Sequence, residues 1–467
     1  HGGSTMEEVE PPVFSNLTEG HTMLIYLDTE TQCDLNLKAV GGIRYAMDAR
    51  LLMVTWVDPR TGKARLWETH RAAIPTELAE LLGDPKGAKL TAHNAMFDRH
   101  VLANTLNRPE LADPGLWRCT AARARYTGLP GRLADAGRRA GLSPELLKVD
   151  DSGGIRLFTG RRPHSPEAKP HEWQAFGAYA LQDTRACRGL DAKLSTLLPA
   201  KAHRHWRLAE SHVFELDQRI NDRGFAVDPN VLDSASAIMA RVQPELDREM
   251  QRITDGEVRK VQSPKLKDWL HDHLEIIPDL RKDTIADWLQ LPDLSGSVVK
   301  ALELRRDGAK NSIAKYRSMA SMLAPDNRVR GAFLYHGAHT GRWSGQGCQP
   351  QNLARPAHQL KPHQTASDIA KARGSVERLS SMYRGLPLLD VLLSGIRGAI
   401  VATPGRQLVI VDYAQIEGRV IAWFANCIRL LQGFAAGEDV YQLVADDVFG
   451  PGGDRQAGKM LQLGLGF

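Results

Sequence analysis

Short apolar runs separated by polar loops dominate the first part of the chain, and each run has the length of a buried strand. Runs of this kind occupy residues 23–27, 51–57 and 89–92. Apolar residues then recur at helical spacing over 172–194 and 206–220. Strands followed by long helices predict an α/β domain that ends near residue 200.

A second, largely helical region follows. Residues 201–330 show helical spacing with a turn at 221–224, and lysines and arginines cluster between 259 and 317. A solvated helix face is the ordinary explanation of such a charge cluster, and contact with a polyanion is the alternative.

The third region begins with residues 331–356, which are rich in Gly, Gln and Pro. A polar segment at 358–373 has the pattern of an inserted helix. The strongest strand signal of this region is the run 407–411, which ends at Asp412. Helical patterns follow at 416–431 and 440–449.

Composition narrows the class of protein. Of the 467 residues, 42% are hydrophobic and 25% are charged, which excludes collagen-like, coiled-coil and wholly disordered chains. The five cysteines form no CxxC pair and no run approaches the ~18 apolar residues of a membrane span, so we expect a cytoplasmic protein without disulfides. The net charge of +5 has the sign expected of a protein that handles a polyanion. Residues 1–20 are interpreted as a tag scar and leader.

Acidic side chains recur at the ends of the predicted strands. Asp28 and Glu30 lie two residues apart at the end of the first strand, which places both carboxylates on one face. Asn94 is placed to cap a helix whose first turn carries Asp98. Taken singly, these features have ordinary explanations as a strand end and a helix cap.

A third pattern completes a set. Tyr179 and Asp183, four residues apart, share one face of a predicted helix. In this order, the segments DTE (28–30), NAMFD (94–98) and YALQD (179–183) resemble the Exo I, Exo II and Exo III motifs of the DEDD-type 3′→5′ exonucleases. The tyrosine four residues before the last acid is typical of the subclass that carries Tyr rather than His.

This resemblance implies an RNase H-like exonuclease domain at residues 21–200 that hydrolyses phosphodiesters with two divalent ions per site, Mg²⁺ or Mn²⁺. The implied metal ligands are Asp28, Glu30, Asp98 and Asp183. Tyr179 would orient the attacking water. The supporting residues beside the substrate strand would be Asn94, Phe97 and Thr29, the last through its backbone.

The segment VIVDYAQIEGR at 409–419 resembles motif A of the family A DNA polymerases, and this second resemblance extends over most of the chain. INDRGFAVD at 220–228 is similar to the segment that enters the thumb. HTGRWSGQGCQPQNLARP at 339–356 is similar to the elements that touch the minor groove of the primer–template. DVYQLVADDVFG at 439–450 matches the helix after motif A, and RQAGKMLQLGLGF at 455–467 the start of motif B.

The polymerase resemblance implies a mostly helical thumb with connecting helices at 201–335, then a partial α+β palm with the beginning of the fingers at 336–467. Asp412 would bind both catalytic metals of the polymerase site. The implied nucleotide-binding residues are Tyr413, Glu417, Arg455, Lys459, Leu463 and Phe467. The implied contacts to the DNA minor groove are Arg342, Gln351 and Asn352.

The second polymerase carboxylate, which such enzymes carry in motif C, is absent from the 467 residues. A truncated chain, one half of a split polymerase and a partial sequence all explain this, and a complementary C-terminal polypeptide is the favoured explanation. The segment before Asp28 is too short for a 5′-nuclease domain, which favours a phage-type replicative enzyme in a bacterial or phage-infected cell. The segment 357–390 is longer than the corresponding segment of the family pattern, which indicates an insertion.

The leading hypothesis is the N-terminal portion of a DNA-directed DNA polymerase with a proofreading 3′→5′ exonuclease. Its partners would be primer–template DNA, single-stranded DNA 3′ ends and dNTPs, with no membrane. One alternative is a free-standing 3′→5′ exonuclease with a DNA-binding, polymerase-derived C-terminal region. Another is a DNA-binding clamp with vestigial sites.

Overall fold

The computed structural model describes residues 23–83, 88–149, 153–274, 279–308 and 313–464. The chain divides into two compact units, the first ending at residue 402 and the second beginning at residue 403. The leader and Phe467 lie outside the described residues. Among the residues that are described, no helix combines the length and the apolar character needed to cross a membrane.

A mixed sheet forms the centre of the N-terminal part of the first unit. Its strands are β1 (Met23–Gln32), β2 (Arg50–Val57), β3 (Ala64–Glu68), β4 (Ala88–Ala92) and β5 (Trp117–Cys119). They lie in the order β3-β2-β1-β4-β5, with β1 antiparallel to β2 and parallel to β4. The three predicted strands are confirmed, but β1 continues to Gln32. Asp28 and Glu30 therefore lie within the strand and not at its end.

Helices cover both faces of this sheet. They are α1 (Leu37–Val40), α2 (Gly42–Asp48), α3 (Thr76–Gly83), α4 (Ala95–Thr105), α5 (Thr120–Tyr126), α6 (Leu133–Ala140), α7 (Gly154–Phe158) and α8 (Pro170–Leu197). Ile25 and Leu27 of β1 share one core cluster with α4, whereas Tyr26 shares another with Cys187 of α8. Burial on both faces explains why the strands appear in the sequence as continuous apolar runs.

A buried carboxylate fixes α8 against the sheet. Asp191 is 2% exposed and accepts a hydrogen bond from the Tyr26 hydroxyl on β1, with 2.9 Å between the oxygens. The same carboxylate forms ion pairs with Arg118 and Arg123. Burial alone would raise the pKa of Asp191, but the two guanidinium groups and the Tyr26 hydroxyl hold it below its usual range.

This contact also sets how far β1 and α8 are displaced along each other. Glu30 follows Tyr26 by four residues, about 13 Å along a strand. Asp183 precedes Asp191 by eight residues, two helical turns or about 12 Å. The acids of β1 and the acid of α8 are therefore brought to the same level.

The chain continues through a predominantly helical stretch. Its helices are α9 (Ala200–His205), α10 (Ser211–Arg223), α11 (Pro229–Ile253), α12 (Lys265–His271), α13 (Lys282–Trp288), α14 (Gly296–Gly308) and α15 (Ala314–Met322). A π-helical segment, Trp206–Glu210, joins α9 to α10. The helix predicted at 206–220 is present, but its first turn is widened.

A second buried ion pair joins α4 to α10. The two terminal nitrogens of Arg99, which is fully buried, lie 2.7 and 2.5 Å from the two carboxylate oxygens of Asp222. His100 Nε2 lies 2.8 Å from the same carboxylate, and Arg99 also donates to the Ala112 carbonyl at 2.6 Å. Two parallel hydrogen bonds to one carboxylate fix both the position and the orientation of the Arg99 guanidinium group.

The remainder of the first unit contains short strands and three further helices. These elements are β6 (Phe225–Val227), β7 (Arg328–Val329), β8 (Phe333–Leu334), β9 (Ser344–Gly345), α16 (Pro362–Ala372), α17 (Val376–Met382), α18 (Leu388–Gly395) and β10 (Ile400–Val401). One small sheet has the order β10-β6-β7, and β8 pairs with β9. The helix predicted at 358–373 is confirmed as α16, which begins at Pro362.

The second unit is helical where it is regular. Its helices are α19 (Ile416–Phe424), α20 (Ile428–Ala436), α21 (Val440–Phe449) and α22 (Arg455–Gly464). The prediction of α21 is confirmed at both ends. The single helix predicted at 416–431 is wrong, because the chain turns at Asn426, whose φ is +50°, before α20 begins.

The strand predicted at 407–411 is also wrong. Leu408 is 52% exposed and Ile410 is 89% exposed, and within the described ranges no other strand pairs with this segment. A strand is stable only when its backbone N–H and C=O groups find partners. The apolar run identifies a segment suited to a sheet, but it contains no information about the partner strand.

We expect Asp191→Asn to lower the free energy of unfolding by about 3–5 kcal/mol, because Arg118 and Arg123 would lose a buried counterion. Tyr26→Phe removes one charged hydrogen bond and should cost about 1.5–3 kcal/mol. Urea unfolding followed by circular dichroism measures both. The control is Arg60→Met, which breaks the exposed pair with Glu80 and should change stability by less than ~1 kcal/mol. Equal effects for Asp191→Asn and Arg60→Met would contradict the role of the buried carboxylate.

Candidate functional site

Three elements bring the five acidic and phenolic side chains predicted from the sequence to one place. β1 contributes Asp28 and Glu30, α4 contributes Asp98, and α8 contributes Tyr179 and Asp183. Asp98, Tyr179 and Asp183 are at most 8% exposed. Asp28 and Glu30 are half-buried and alternate with buried threonines, so both face the same side of the sheet as predicted.

Asp98 is held by the strand that carries the other acids. The backbone N–H of Thr29 donates to Asp98 Oδ1 at 3.1 Å, and the Thr29 hydroxyl donates to the same oxygen at 2.8 Å. Burial nevertheless raises the pKa of Asp98 to about 7, although these hydrogen bonds act in the opposite direction. The exonuclease resemblance implies that the Thr29 backbone lies beside the substrate strand, and in the structure its N–H positions Asp98.

The four acids share one electrostatic environment. Burial raises the pKa of Asp28 well above its usual range, and the carboxylates of Asp98, Glu30 and Asp183 raise it further. Like charges held this close together repel one another unless a cation or a proton compensates them. Such a cluster is costly in a metal-free protein and is typical of a functional site.

A lysine that the sequence did not indicate lies in this cluster. Lys148 Nζ donates to the Tyr179 hydroxyl at 2.6 Å, forms an ion pair with Asp183, and lies 4.3 Å from the centre of the Tyr179 ring. Burial, followed by the charge of Asp183, raises the pKa of Tyr179, so its hydroxyl stays protonated. A single lysine in the loop between α6 and α7 forms no local pattern that could have revealed it.

The donor set has the chemistry of a site for hard divalent cations. Mg²⁺ and Mn²⁺ prefer carboxylate oxygens, and the four acids supply only oxygen donors. The side chains do not converge fully: among the residues that the structure describes, no three Asp, Glu, His or Cys side chains lie close enough to ligate one ion. Asp183 faces the ammonium group of Lys148 instead.

The residues predicted to support the substrate strand border this cluster at the start of α4. Asn94 is exposed and has a φ of +73°, and its side chain forms no capping hydrogen bond. The predicted cap is therefore wrong, because a capping side chain requires extended backbone at that position. Phe97 is half-buried and packs against Tyr45, with 5.8 Å between the ring centres.

His93 lies at the end of β4 next to this segment. Its Nδ1 is 2.8 Å from the Thr120 hydroxyl oxygen, and its Nε2 is 2.9 Å from the Gly131 carbonyl oxygen. Burial lowers the pKa of His93 to about 4. The imidazole is therefore neutral at physiological pH and acts as a structural link between β4, α5 and the segment before α6.

The predicted minor-groove contacts lie elsewhere in the first unit. Arg342 is exposed between β8 and β9, and Gln351 and Asn352 are exposed in the turn Pro350–Asn352. A methyl group on Gly345 of β9 would lie 2.6 Å from Gln351 Oε1, so the turn packs closely on the hairpin. The structure thus places the two predicted elements side by side.

The predicted polymerase metal ligand Asp412 lies in the second unit, as do the predicted nucleotide-binding residues that the structure describes. Asp412 and Tyr413 are in the exposed segment before α19, and Glu417 is in the first turn of that helix. On α22, the Arg455 guanidinium and the Lys459 ammonium group lie 5.3 and 5.9 Å from the ring centre of Tyr441. Arg455 also forms an ion pair with Asp439 at 2.5 Å, and Leu463 is half-buried on the same helix.

Comparison with known proteins identifies the family of this chain. The model of the family "DNA polymerase family A" matches residues 229–465. The DNA polymerase of Bacillus phage SP02 is 31% identical over 465 residues, which cover 96% of this chain and 69% of that protein. The chain therefore belongs to DNA polymerase family A.

Two further comparisons cover nearly the whole chain. DNA polymerase I of Pseudomonas aeruginosa is 25% identical over 457 residues, 95% of this chain and 46% of that protein. The chain thus spans less than half of the length of that relative. The POL domain of Pol1 from M. smegmatis, solved in complex with DNA primer-template and dNTP, has a similar fold, with a TM-score of 0.58 and 20% identity. The match covers 95% of this chain and 68% of that one.

We expect His93→Gln to flatten the loss of stability between pH 7 and pH 4.5. The pKa of the imidazole is about 6.5 when unfolded and about 4 when folded, so below pH 6.5 the unfolded chain binds the proton first and stability falls. This share amounts to roughly 2–3 kcal/mol at pH 4.5 and is absent at pH 7. Urea unfolding of both proteins at the two pH values measures it. The exposed His171→Gln is the control, and an unchanged pH dependence in His93→Gln would refute the assignment.

Proposed function

We propose that the acidic cluster of the first unit is a 3′→5′ exonuclease site, which removes nucleotides from DNA 3′ ends as the proofreading activity of a family A DNA polymerase. This proposal rests on one observation: the acids of β1, α4 and α8 lie in one cluster with the phenol of Tyr179. Acidic side chains are rarely buried without a partner, and four in one place indicate a site that takes up positive charge.

The cation supplied to this site would be Mg²⁺ or Mn²⁺, held by Asp28, Glu30, Asp98 and Asp183. Two such ions, when bound, neutralise the phosphodiester and make a water molecule more acidic. The protein fixes the positions of the carboxylates: β1 determines the spacing of Asp28 and Glu30, and Thr29 holds Asp98 through two hydrogen bonds.

Tyr179 is the group that orients the water. Its hydroxyl stays protonated because burial and the neighbouring acids oppose ionisation, so it remains a hydrogen-bond donor throughout the pH range in which DNA is stable. The aromatic ring is held by Phe176, with 6.2 Å between the ring centres. A donor fixed in this way orients a water without taking a proton from it.

We propose DNA-directed DNA synthesis as the second activity of the whole protein. Membership of the family supports it, together with the exposed side chains of the β8–β9 hairpin and its adjoining turn. Arg342, Gln351 and Asn352 would follow the minor groove of the primer–template. Asp412 would hold the metals for nucleotide addition, while Arg455 and Lys459 would bind the triphosphate of a dNTP.

Asp28→Asn should reduce excision of a 5′-labelled primer–template in Mg²⁺ by at least about 10²-fold, because one carboxylate of the metal site is lost. Binding of the duplex, measured by fluorescence anisotropy, should be unchanged. The control is Asp135→Asn on α6, an acid that pairs with Arg138 at the surface and should leave excision intact. Undiminished metal-dependent excision in Asp28→Asn would exclude this site as its source.

Asp412→Asn in the complete polymerase should abolish primer extension with the four dNTPs and leave excision unchanged. The reason is that the two reactions use separate sets of carboxylates. The matched control is Asp447→Asn, which alters an exposed acid of α21 that pairs with Arg429 of α20. The free-standing exonuclease is the better description if the complete protein excises but never extends.

A further inference from the structure

Lys148 has no role in the proposed hydrolysis, yet it contacts both functional side chains of α8. Its ammonium group donates to the Tyr179 hydroxyl at 2.6 Å and forms an ion pair with Asp183. It also lies 4.3 Å from the centre of the Tyr179 ring, a distance typical of a cation–π contact. The Lys148 side chain is 24% exposed, so solvent weakens these contacts only in part.

The loop that carries Lys148 is fixed by the same helix. The amide group of Gln182, next to Asp183, donates to the Glu145 carbonyl at 2.8 Å and to the Leu147 carbonyl at 2.9 Å. On the same loop, Leu146 packs closely against α8: a methyl group on Gly189 would lie 3.3 Å from Leu146 Cδ1. Helix α8 therefore positions both the carboxylate and the lysine that pairs with it.

The ammonium group and a divalent cation are in competition for this carboxylate. The ammonium group pairs with Oδ2 of Asp183, and a divalent ion bound to the same carboxylate would lie close enough to be repelled by it. Burial and the neighbouring carboxylates raise the pKa of Asp28, and the positive charge of Lys148 opposes this rise, so that charge acts on the β1 side of the cluster as well. A lysine in this place compensates the acids in the way that a metal would.

We propose that Lys148 is a tethered counterion of the acidic cluster, which holds Asp183 and Tyr179 in the metal-free protein and has to leave Asp183 before that carboxylate binds a divalent ion. This inference rests on the proposed exonuclease function. It explains how four closely spaced acids, two of them buried and two half-buried, coexist without metal, and it makes Lys148 the residue that sets the metal concentration at which the site fills.

The test is a titration of the whole chain with Mn²⁺ alone, in which electron paramagnetic resonance measures free Mn²⁺. Lys148→Met removes the charge but keeps the length of the side chain. We expect its dissociation constant for Mn²⁺ to fall about tenfold, the ratio expected when one charged hydrogen bond no longer has to be broken. Without metal, Lys148→Met should unfold at a lower temperature than the wild type, because its acids lose their counterion.

Three variants make the result specific. Lys148→Arg retains the charge and should bind Mn²⁺ within about twofold of the wild type. Lys193→Met changes the net charge equally, on an exposed position of α8, and should also match the wild type. If Lys148→Met unfolds, Lys148→Gln repeats the test with a polar side chain. It too should bind Mn²⁺ more tightly than the wild type.

The two ways of failing are distinguishable. Asp28→Asn supplies the baseline for Mn²⁺ bound elsewhere on the chain. If the wild type and both neutral variants, Lys148→Met and Lys148→Gln, match that baseline, the acidic cluster binds no metal and the exonuclease proposal fails. If the wild type exceeds the baseline but neither neutral variant binds more tightly than Lys193→Met, the exonuclease proposal stands and the counterion role of Lys148 is overturned.

Discussion

The hydrogen bond from Tyr26 to Asp191 is the contact on which the geometry of the acidic cluster depends. A strand and a helix can slide along each other at little cost when their contact is purely apolar, because the hydrophobic effect has no direction. A buried carboxylate that pairs with a phenol and two guanidinium groups is directional, and it favours the one position in which all three contacts form. In that position, Tyr179 and Asp183 lie beside the acids of β1, and Thr55 of β2 binds the Thr184 hydroxyl at 2.5 Å, which fixes α8 a second time.

The acidic cluster destabilises the folded state, because its carboxylates are close together and partly removed from water. Asp98 and Asp28 are held where burial and mutual repulsion disfavour their charged forms. The surrounding structure offsets this with the N–H and hydroxyl of Thr29, which donate to Asp98, and with the ammonium group of Lys148, which pairs with Asp183. The packing of the neighbouring sheet and of α8 stabilises the fold enough to offset the unfavourable free energy of the cluster.

The sequence predicted well what depends on neighbouring residues and poorly what depends on distant ones. The strands β1, β2 and β4, the long helix α8 and the residues Asp28, Glu30, Asp98, Tyr179 and Asp183 follow from periodicity and from motif resemblance. Lys148 and Asp191 were missed because their importance arises from contacts 31 or more residues away along the chain. The strand at 407–411 was predicted wrongly for the same reason, since a strand is defined by a partner that the run itself does not specify. Asn94 fits the composition of a cap but not its backbone conformation.

The pairing of Arg99 with Asp222 has a consequence for the modularity of the chain. The sequence pattern of strands followed by helices predicts a boundary near residue 200, as though the region before it could be exchanged between polymerases as a separate part. Arg99 directly follows Asp98, and its bidentate carboxylate partner lies on α10, beyond that boundary. A graft that ended at residue 200 would leave a buried guanidinium group without its carboxylate, next to an acid of the cluster. The unit of exchange in an engineered chimera therefore extends through α10.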